Sequence, residues 1–437
     1  MSAASAPPRS QLARLVEPGR FCWATGIEDT FITDPWKRTG RTLDEYELTR
    51  HYERLDEDLD LIAGLGLGAA RYGIPWHRVE PEPGRFDWSF ADAALGGLLE
   101  RGVAPIVDLV HYGTPGWLEG AFLHADFPAR AAEYAARLAE RFRGRIHWYT
   151  PMNEPRIAAW YCGRLGWWPP YQRGLRGFAR VLVAACRGVA AIDAALRAVD
   201  PEIVLAHVDA TDLYESADPA LADEVALRQA LVFLALDLLT GRVDERHTLH
   251  GWLARMGVGD AELAPFRERP LEIDVLGINL YPMFTWKHLV RAGPRVRVRM
   301  RYAGPELLEQ LGEMYWRRYG RPLFVSETAS LGSVARRRAW LDGSIGAVRN
   351  LRERGVPLIG YTWWPLFALV AWSYRQGHRA LERHLLRMGL YELDPRPQAA
   401  LARVPTLLAS VYREIAAGGD AAVGSLAPAA RAAAGGD

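Results

Sequence analysis

Eight short runs of strand-forming residues alternate along the chain with longer amphipathic stretches, and this alternation constrains the fold more than any other feature. The predicted strands are Phe21–Gly26, Ala70–Pro75, Ala104–Leu109, His147–Pro151, Ile203–Val208, Val275–Leu280, Pro322–Val325 and Leu358–Trp363. Strand–helix alternation is typical of parallel strands joined by right-handed crossovers. Eight such units predict an α/β protein built as a single (β/α)8 TIM barrel. A doubly wound sheet is the competing architecture.

The two ends of the chain differ in composition from everything between them. Residues 1–17 are rich in Ser, Ala and Pro, and residues 416–437 are rich in Ala and Gly without apolar periodicity. We predict a flexible N-terminal segment over 1–17 and a disordered tail over 416–437. No linker divides the remainder of the 437 residues, of which 49% are hydrophobic. We therefore expect one barrel domain over 18–415.

Charge and cysteine content exclude several classes of protein. The 53 basic and 52 acidic residues leave a net charge of +1, so we expect no nucleic-acid partner. The three cysteines are widely spaced and give neither a disulfide framework nor a metal-binding pair. The first residues lack the apolar core of a secretory signal, and no run is long enough to span a membrane. We expect a cytoplasmic protein without a membrane partner, and the sequence leaves its oligomeric state open.

Residues with chemically active side chains follow the predicted strands, where a barrel of this kind carries its active site. They are Arg71 and Trp76; His111 and Tyr112; Asn153 and Glu154; His207 and Asp209; Asn279 and Tyr281; Ser326 and Glu327; and Trp363 and Trp364. This pattern predicts that one end of the barrel binds and transforms a small molecule.

Glu154 and Glu327 are the two carboxylates at the ends of apolar strands, where burial is expected. Strands 4 and 7 place them on opposite sides of the barrel mouth. Glycoside hydrolysis requires two such groups, one to protonate the leaving oxygen and one to attack the anomeric carbon or activate water. Burial raises the pKa of an acid, while donors such as Arg71 and Tyr281 keep a nucleophile ionised. The alternative is that each glutamate merely pairs with an arginine at the barrel rim.

Other chemistries find less support in the sequence. Residues 64–68 read Gly-Leu-Gly-Leu-Gly, but they follow a helix and precede a strand, the reverse of a dinucleotide-binding loop. There is no G-x-S-x-G nucleophile motif and no His-x-His pair after strand 1. His207 and Asp209 alone are a weak metal-ligand set. We expect no metal and no organic cofactor.

Taken together, the motifs resemble glycoside hydrolase family 1, the β-glucosidase and β-galactosidase group, over about residues 20–395. The six matching segments are Ala70-Arg-Tyr-Gly-Ile-Pro-Trp76, Val110-His-Tyr-Gly-Thr-Pro115, Pro151-Met-Asn-Glu-Pro155, Gly277-Ile-Asn-Leu-Tyr281, Phe324-Val-Ser-Glu-Thr328 and Arg387-Met-Gly-Leu-Tyr-Glu-Leu-Asp394. They occur in the order of the family. The resemblance implies a (β/α)8 barrel and a retaining mechanism.

The resemblance also implies roles for individual residues. Glu154 takes the place of the family's acid/base and Glu327 that of its nucleophile, with Thr328 replacing the usual Asn. The implied substrate-binding residues are Arg71 as ion partner of the nucleophile, His111 on the sugar, Asn153 on the 2-hydroxyl, Asn279, Tyr281 against the nucleophile, and Trp364. For a retaining enzyme we expect the two carboxyl groups about 5–5.5 Å apart.

Two departures from the family pattern lie in the part of the site that grips the glycone, the sugar that is transferred. Gly26 stands where the family has Gln, and Ala371 stands where it has Glu. Each lost hydrogen bond removes about 1–3 kcal/mol of binding. We therefore predict a β-glycosidase with an altered glycone. A transglycosylase, whose acceptor binds at the Trp-rich loop after Glu154, and a non-catalytic sugar-binding barrel are the alternatives.

Overall fold

The computed structural model describes residues 10–424 and residue 426, and its centre is a closed barrel of eight parallel strands. Each strand pairs with its neighbours in sequence, and the last strand closes on the first. The strands, numbered β1 to β8 along the chain, are Cys22–Gly26, Ala69–Gly73, Ala104–Asp108, Trp148–Thr150, Val204–Ala210, Val275–Asn279, Leu323–Thr328 and Leu358–Trp363. All eight strands predicted from the sequence are present, which confirms the barrel and excludes the doubly wound sheet.

Helices surround the barrel and connect successive strands. The α-helices are Ser10–Leu15, Glu45–Leu48, Leu55–Gly64, Trp76–Val79, Ser89–Glu100, Phe127–Arg141, Pro155–Ala159, Gly174–Val199, Ala222–Leu239, His250–Arg255, Asp260–Glu268, Glu306–Tyr319, Val334–Glu353 and Leu407–Ala417. Residues 46–64 are one of the amphipathic stretches between predicted strands, and their apolar periodicity predicts one helix, but the structure has two helices there. A turn separates them, with Arg50 at φ 61°, a left-handed conformation that no α-helix accommodates.

Two hydrophobic layers hold the fold together. The larger lies between the strands and the surrounding helices. The smaller fills the barrel itself, where the rings of Trp148 and Phe324 pack 5.1 Å apart. Leu12 and Leu15 pack against this inner cluster from the N-terminal helix. Residues 10–15 are therefore helical rather than flexible as the sequence predicts, because their apolar side chains cover the end of the barrel; residues 1–9 lie outside the described part of the chain.

Regular secondary structure near the C-terminus also extends beyond the predicted domain boundary at 415. The last α-helix ends at Ala417, and a 3-10 helix follows over Gly419–Val423. Arg352 donates to Asp420 and to the carbonyl oxygen of Gly424, and Val423 is buried. These contacts order residues 416–424, where the sequence predicts a disordered tail; residue 425 and residues 427–437 lie outside the described part.

Several smaller elements are not part of the eight-stranded barrel. A three-stranded sheet lies outside it, formed by Leu213–Glu215, Trp286–Ala292 and Arg295–Arg301. Two-stranded sheets pair Phe31–Ile32 with Leu43–Asp44, Leu369–Val370 with Leu385–Leu386, and Tyr391–Leu393 with Arg403–Pro405. Short 3-10 helices cover Ala121–Leu123, Pro219–Leu221, Trp372–Tyr374, Leu381–His384 and Pro397–Ala399, and a π-helix covers Trp160–Leu165. No helix among the described residues is long and apolar enough to cross a membrane.

A buried ion pair joins the helix after β1 to the C-terminal part of the chain. The Asp58 carboxylate accepts hydrogen bonds from Arg403 at 2.6 and 2.7 Å and contacts His51 at 2.7 Å. All three side chains are fully buried. Removing one partner of such a pair leaves an uncompensated buried charge.

We therefore expect Asp58→Ala to lower the free energy of unfolding by about 3–5 kcal/mol. Asp60 on the same helix is the matched control, because it pairs with Arg101 at the surface and its side chain is 70% exposed. Asp60→Ala should lower the free energy of unfolding by at most about 1 kcal/mol. Denaturant unfolding of both variants measures the difference, and equal losses would contradict the argument.

Candidate active site

Glu154 lies in the turn between β4 and the short helix Pro155–Ala159. Its backbone N–H donates to the Val208 carbonyl of β5 at 3.0 Å, which ties the turn to the next strand. The residue has φ 44° and ψ 65°, a left-handed conformation that a non-glycine residue adopts only when its surroundings hold it there. Pro155 fixes the first helical position directly after it. The constrained backbone therefore fixes the direction in which the Glu154 side chain leaves the chain. The residue is only 6% exposed.

Glu327 lies within β7 rather than after it. The pairing of β7 with both neighbouring strands shifts register between Val325 and Thr328. Such an irregularity re-aims a side chain that regular pleating would turn elsewhere. The carboxylate accepts a hydrogen bond from Arg71 and another from the Tyr281 hydroxyl at 2.8 Å.

Arg71 connects both halves of the site. It is fully buried and donates to Glu327, to Asp108 at 2.5 Å and to the Asn153 oxygen at 2.6 Å. Asn279 donates to the same Asn153 oxygen at 3.3 Å and to Glu154 at 2.9 Å. The structure thus brings these predicted site residues of β2, β4, β6 and β7 together in one hydrogen-bonded network.

The two glutamates have different electrostatic surroundings. Burial and the nearby charge of Glu327 raise the pKa of Glu154 to about 8, against the opposing hydrogen bonds from Tyr112 and Asn279. Burial also raises the pKa of Glu327, but the Arg71 guanidinium counteracts it. Glu154 has neutral hydrogen-bond donors, whereas Glu327 has a cation. This arrangement favours a proton on Glu154 and a negative charge on Glu327.

His111 is held from two sides. Its Nδ1 contacts the Asp29 carboxylate and lies 3.1 Å from Asp108, while Nε2 lies 2.9 Å from the Asn153 amide nitrogen. Burial lowers the pKa of His111, and the two carboxylates more than offset it. The raised pKa favours the doubly protonated, cationic form of His111.

Asp29, Asp108 and His111 could together offer ligand atoms to one cation. Arg71 already pairs with Asp108, however, and supplies the positive charge at this position. We interpret the cluster as a support that orients His111. Neither Asp29 nor Asp108 stands out in the sequence alone, although Asp108 is the last residue of β3.

Trp364, a predicted substrate-binding residue, occupies the space next to Gly26. A Cβ atom on Gly26 would lie 2.1 Å from the indole ring and 2.6 Å from the Arg71 carbonyl oxygen. The indole also lies over the Arg71 guanidinium and stacks on His111, with ring centroids 6.1 Å apart. A glutamine at position 26, as in the family motif, is incompatible with this packing.

We expect Gly26→Ala to destabilise the protein by about 1–3 kcal/mol, because the added methyl group overlaps Trp364 and a backbone oxygen. Gly96→Ala is the matched control, since nothing lies within 4 Å of a Cβ there and the residue is helical. The free energy of unfolding of this control should rise by up to about 1 kcal/mol, because alanine has a higher helix propensity than glycine. Thermal unfolding of the two variants should move in opposite directions, and a stable Gly26→Ala protein would contradict the packing.

Tyr112 is a site residue whose contact with Glu154 the sequence does not reveal. It has φ 66°, is buried, and donates a hydrogen bond from its hydroxyl to Glu154. The resembled motif has Trp at this position, which has no hydroxyl to offer a carboxylate. The presence of Tyr instead of Trp at position 112 is therefore the sequence signal that could have indicated this contact with Glu154.

The aromatic loop after Glu154 divides between packing and surface. Trp168 is fully buried and stacks on Tyr161 at 4.5 Å, so it belongs to the core of the loop. Trp167 is 38% exposed. A cavity of about 320 Å³ lies beside Tyr112 and is also lined by Tyr171 and Asp34. This cavity offers space for a ligand group at the barrel mouth.

Comparison with known proteins identifies the class to which this barrel and its two carboxyl groups belong. The family model for glycosyl hydrolase family 1 matches residues 23–240, which include Glu154. Beta-glucosidase 47 of Arabidopsis thaliana is 26% identical over 83% of this chain and 75% of its own length. Beta-glucosidase A of Thermotoga maritima is 25% identical over 81% of this chain and 84% of its own.

The fold comparison agrees. The family 1 β-glucosidase structure from Thermotoga maritima superimposes with a TM-score of 0.78 at 22% identity, covering 91% of this chain and 97% of that one. The chain belongs to glycosyl hydrolase family 1. It is an O-glycosyl hydrolase that acts on β-glycosides.

Proposed function

We propose that the protein is a retaining β-glycosidase that hydrolyses a small-molecule glycoside by double displacement. Glu327 attacks the anomeric carbon and forms a covalent glycosyl-enzyme, while Glu154 donates its proton to the leaving oxygen. Glu154 then removes a proton from water, which attacks the same carbon and releases Glu327. No residue is consumed, and the proton returns to Glu154.

The observation that carries this proposal is the unequal pairing of the two carboxyl groups. Arg71 and Tyr281 both donate to Glu327, which stabilises the anion needed for attack. Glu154 has no cationic partner among the described side chains, and its pKa of about 8 keeps the proton needed for the leaving group. Two carboxyl groups whose surroundings separate their protonation states are the arrangement expected of an acid and a nucleophile.

We further propose that the glycone differs from that of ordinary β-glucosidases. Trp364 fills the space in which the family's glutamine side chain would lie. Ala371 has no polar side-chain atom, and its backbone N–H donates to His384 at 2.7 Å. His111 has both ring nitrogens engaged by the protein. The sugar contacts expected from the family are therefore reduced on the side remote from the anomeric carbon.

Hydrolysis of a panel of 4-nitrophenyl β-glycosides tests both parts of the proposal. The panel includes glucoside, galactoside, fucoside, xyloside and 6-phospho forms, and proton NMR follows the first anomer released. Release of the β-anomer supports retention, and release of the α-anomer would show inversion. Efficient cleavage of plain β-glucosides in preference to all other members would contradict the altered glycone while leaving the retaining mechanism in place.

A further inference from the structure

A β-hairpin at the rim of the barrel mouth carries a concentration of positive charge. Its strands are Trp286–Ala292 and Arg295–Arg301, and we call residues 286–301 the basic hairpin. Between positions 282 and 305 the sequence has six Lys and Arg residues and no Asp or Glu. This segment therefore departs from the chain as a whole, in which 53 basic residues are balanced by 52 acidic ones.

The base of the basic hairpin adjoins the proposed nucleophile. Phe284 precedes the first strand, and its ring lies 6.2 Å from that of Tyr281, which donates to Glu327. Tyr302 follows the second strand, and its hydroxyl is hydrogen-bonded to that of Ser330, shortly after Glu327 in the chain. The base therefore lies between the ends of β6 and β7, and the second strand leads about 20 Å away from it.

Four arginines form one row along this second strand. Successive side chains of a strand point to opposite faces, so positions 295, 297, 299 and 301 share one face at intervals of about 7 Å. All four arginines are exposed, and the strand is the edge of its sheet. None of the ion pairs between described residues includes any of them. The row is therefore an uncompensated run of guanidinium groups on the surface.

The carboxylates close to the basic hairpin contact its inner strand rather than this row. The contacts are those of Asp212 with Lys287, Glu215 with His288, and Asp218 with Arg291. Charge of either sign protects an edge strand from pairing with another chain, so protection alone does not call for arginine at every position. Like charges in one row repel one another, and an anion bound along the row removes that repulsion. The complementary partner is a chain that carries several negative charges.

We propose that the basic hairpin binds the aglycone of the substrate, and that this aglycone is an acidic oligosaccharide with carboxylate groups along its length. The inference rests on the proposed function and names its substrate class. A glycoside whose sugar lies between Glu154 and Glu327 extends its remaining chain over the rim, where the row of arginines begins. Guanidinium groups bind carboxylates through charge-assisted hydrogen bonds. The ring of Phe284, which is 46% exposed, adds an apolar surface beside the mouth.

Two substrates that differ only in charge test the proposal. Each carries the glycone identified with the 4-nitrophenyl panel, joined by a β-linkage to the non-reducing end of an oligogalacturonate long enough to span the row. The carboxyl groups are free in one substrate and methyl-esterified in the other. At about 0.01 M salt, where the Debye length is about 30 Å, we expect kcat/KM to be about fivefold or more higher for the free acid. At about 1 M salt, where the Debye length is about 3 Å, the ratio should fall towards one.

The triple variant Arg295→Gln, Arg297→Gln and Arg299→Gln removes three charges of the row. Because these side chains are exposed and unpaired, we expect the variant to fold, and its ratio of kcat/KM for acid to ester should fall close to one at low salt. Lysine at the same three positions keeps the charge and should keep most of the preference for the acid. Loss of the preference in the lysine variant as well would contradict a role for charge.

The matched control removes three exposed arginines at the opposite end of the barrel. Arg14, Arg145 and Arg269 precede β1, β4 and β6, and no ion pair between described residues includes them. Their joint replacement by glutamine changes the net charge by the same amount and should leave the ratio of acid to ester unchanged. An equal fall of the ratio in this control would assign the preference to net charge and overturn the role of the hairpin.

Hydrolysis of the ester as efficient as that of the acid would overturn the inference, and so would a ratio that the glutamine variant does not change. If that variant instead loses binding to vesicles of anionic lipid while the ratio stays the same, the hairpin serves a membrane surface and the substrate assignment fails. The 4-nitrophenyl panel reports separately on the proposed function. Turnover of its members without preference for the acid would overturn only the aglycone assignment, whereas no turnover of any glycoside would overturn both.

Discussion

Glu327→Ala is expected to lower kcat by about 10⁴-fold or more, because the variant has no group that can form the glycosyl-enzyme. Arg71 and Tyr281 then lose the anion they hold. The cavity left by the side chain admits a small anion. Azide at high concentration should therefore restore part of the activity and give a β-glycosyl or α-glycosyl azide according to which face it attacks.

Attack by azide from the vacated side predicts the α-glycosyl azide, which mass spectrometry and NMR identify. Glu47→Ala is the control for removing a carboxylate, since Glu47 is exposed, and it should retain wild-type kcat. Full activity of Glu327→Ala without azide would exclude Glu327 as the nucleophile. Circular dichroism of the variant separates loss of chemistry from loss of fold.

The second large effect concerns the proton on Glu154. Its pKa of about 8 means that the group is protonated at neutral pH and loses its proton as the pH rises through 8. Because only the protonated form can assist the leaving group, kcat/KM should fall by tenfold per pH unit above about pH 8. Glu154→Gln should remove this limb of the profile and lower kcat by about 10²–10⁴-fold for unactivated leaving groups.

Tyr112→Phe tests whether the pKa of Glu154 sets the pH above which kcat/KM falls, a part of the profile called here the alkaline limb. The Tyr112 hydroxyl donates to Glu154, and this hydrogen bond lowers the pKa of the carboxyl group. Its removal should therefore move the limb to higher pH with an otherwise intact profile. A limb that stays in place in both Glu154→Gln and Tyr112→Phe would show that another group titrates there.

Much of the fold could be predicted from the sequence because it depends on local patterns. Apolar runs of four to six residues specify the strands, and amphipathic stretches specify the helices between them. The prediction failed where long-range contacts decide. Residues 10–15 and 416–424 have compositions typical of flexible ends, yet Leu12, Leu15 and Arg352 tie them to the barrel. The stretch 46–64 has helical periodicity that a left-handed residue interrupts.

The candidate site shows the same division. Glu154, Glu327, Arg71 and Tyr281 could be proposed from the sequence, because parallel strands of a barrel deliver their carboxyl ends to one mouth. Asn153 and Asn279 could be proposed for the same reason. The roles themselves remain predictions that the experiments above test.

The sequence by itself determined the barrel and the residues that its strand ends bring together. The tertiary structure alone decided what surrounds them: Trp364 over Gly26, Tyr112 on Glu154, and Asp29 and Asp108 on His111. The positions of the strand ends follow from the direction of the chain and from the periodicity of apolar residues. Both are properties of residues close together in the sequence. Contacts between residues 26 and 364 or 29 and 111 depend on how loops pack after the barrel closes, and no local pattern encodes that packing.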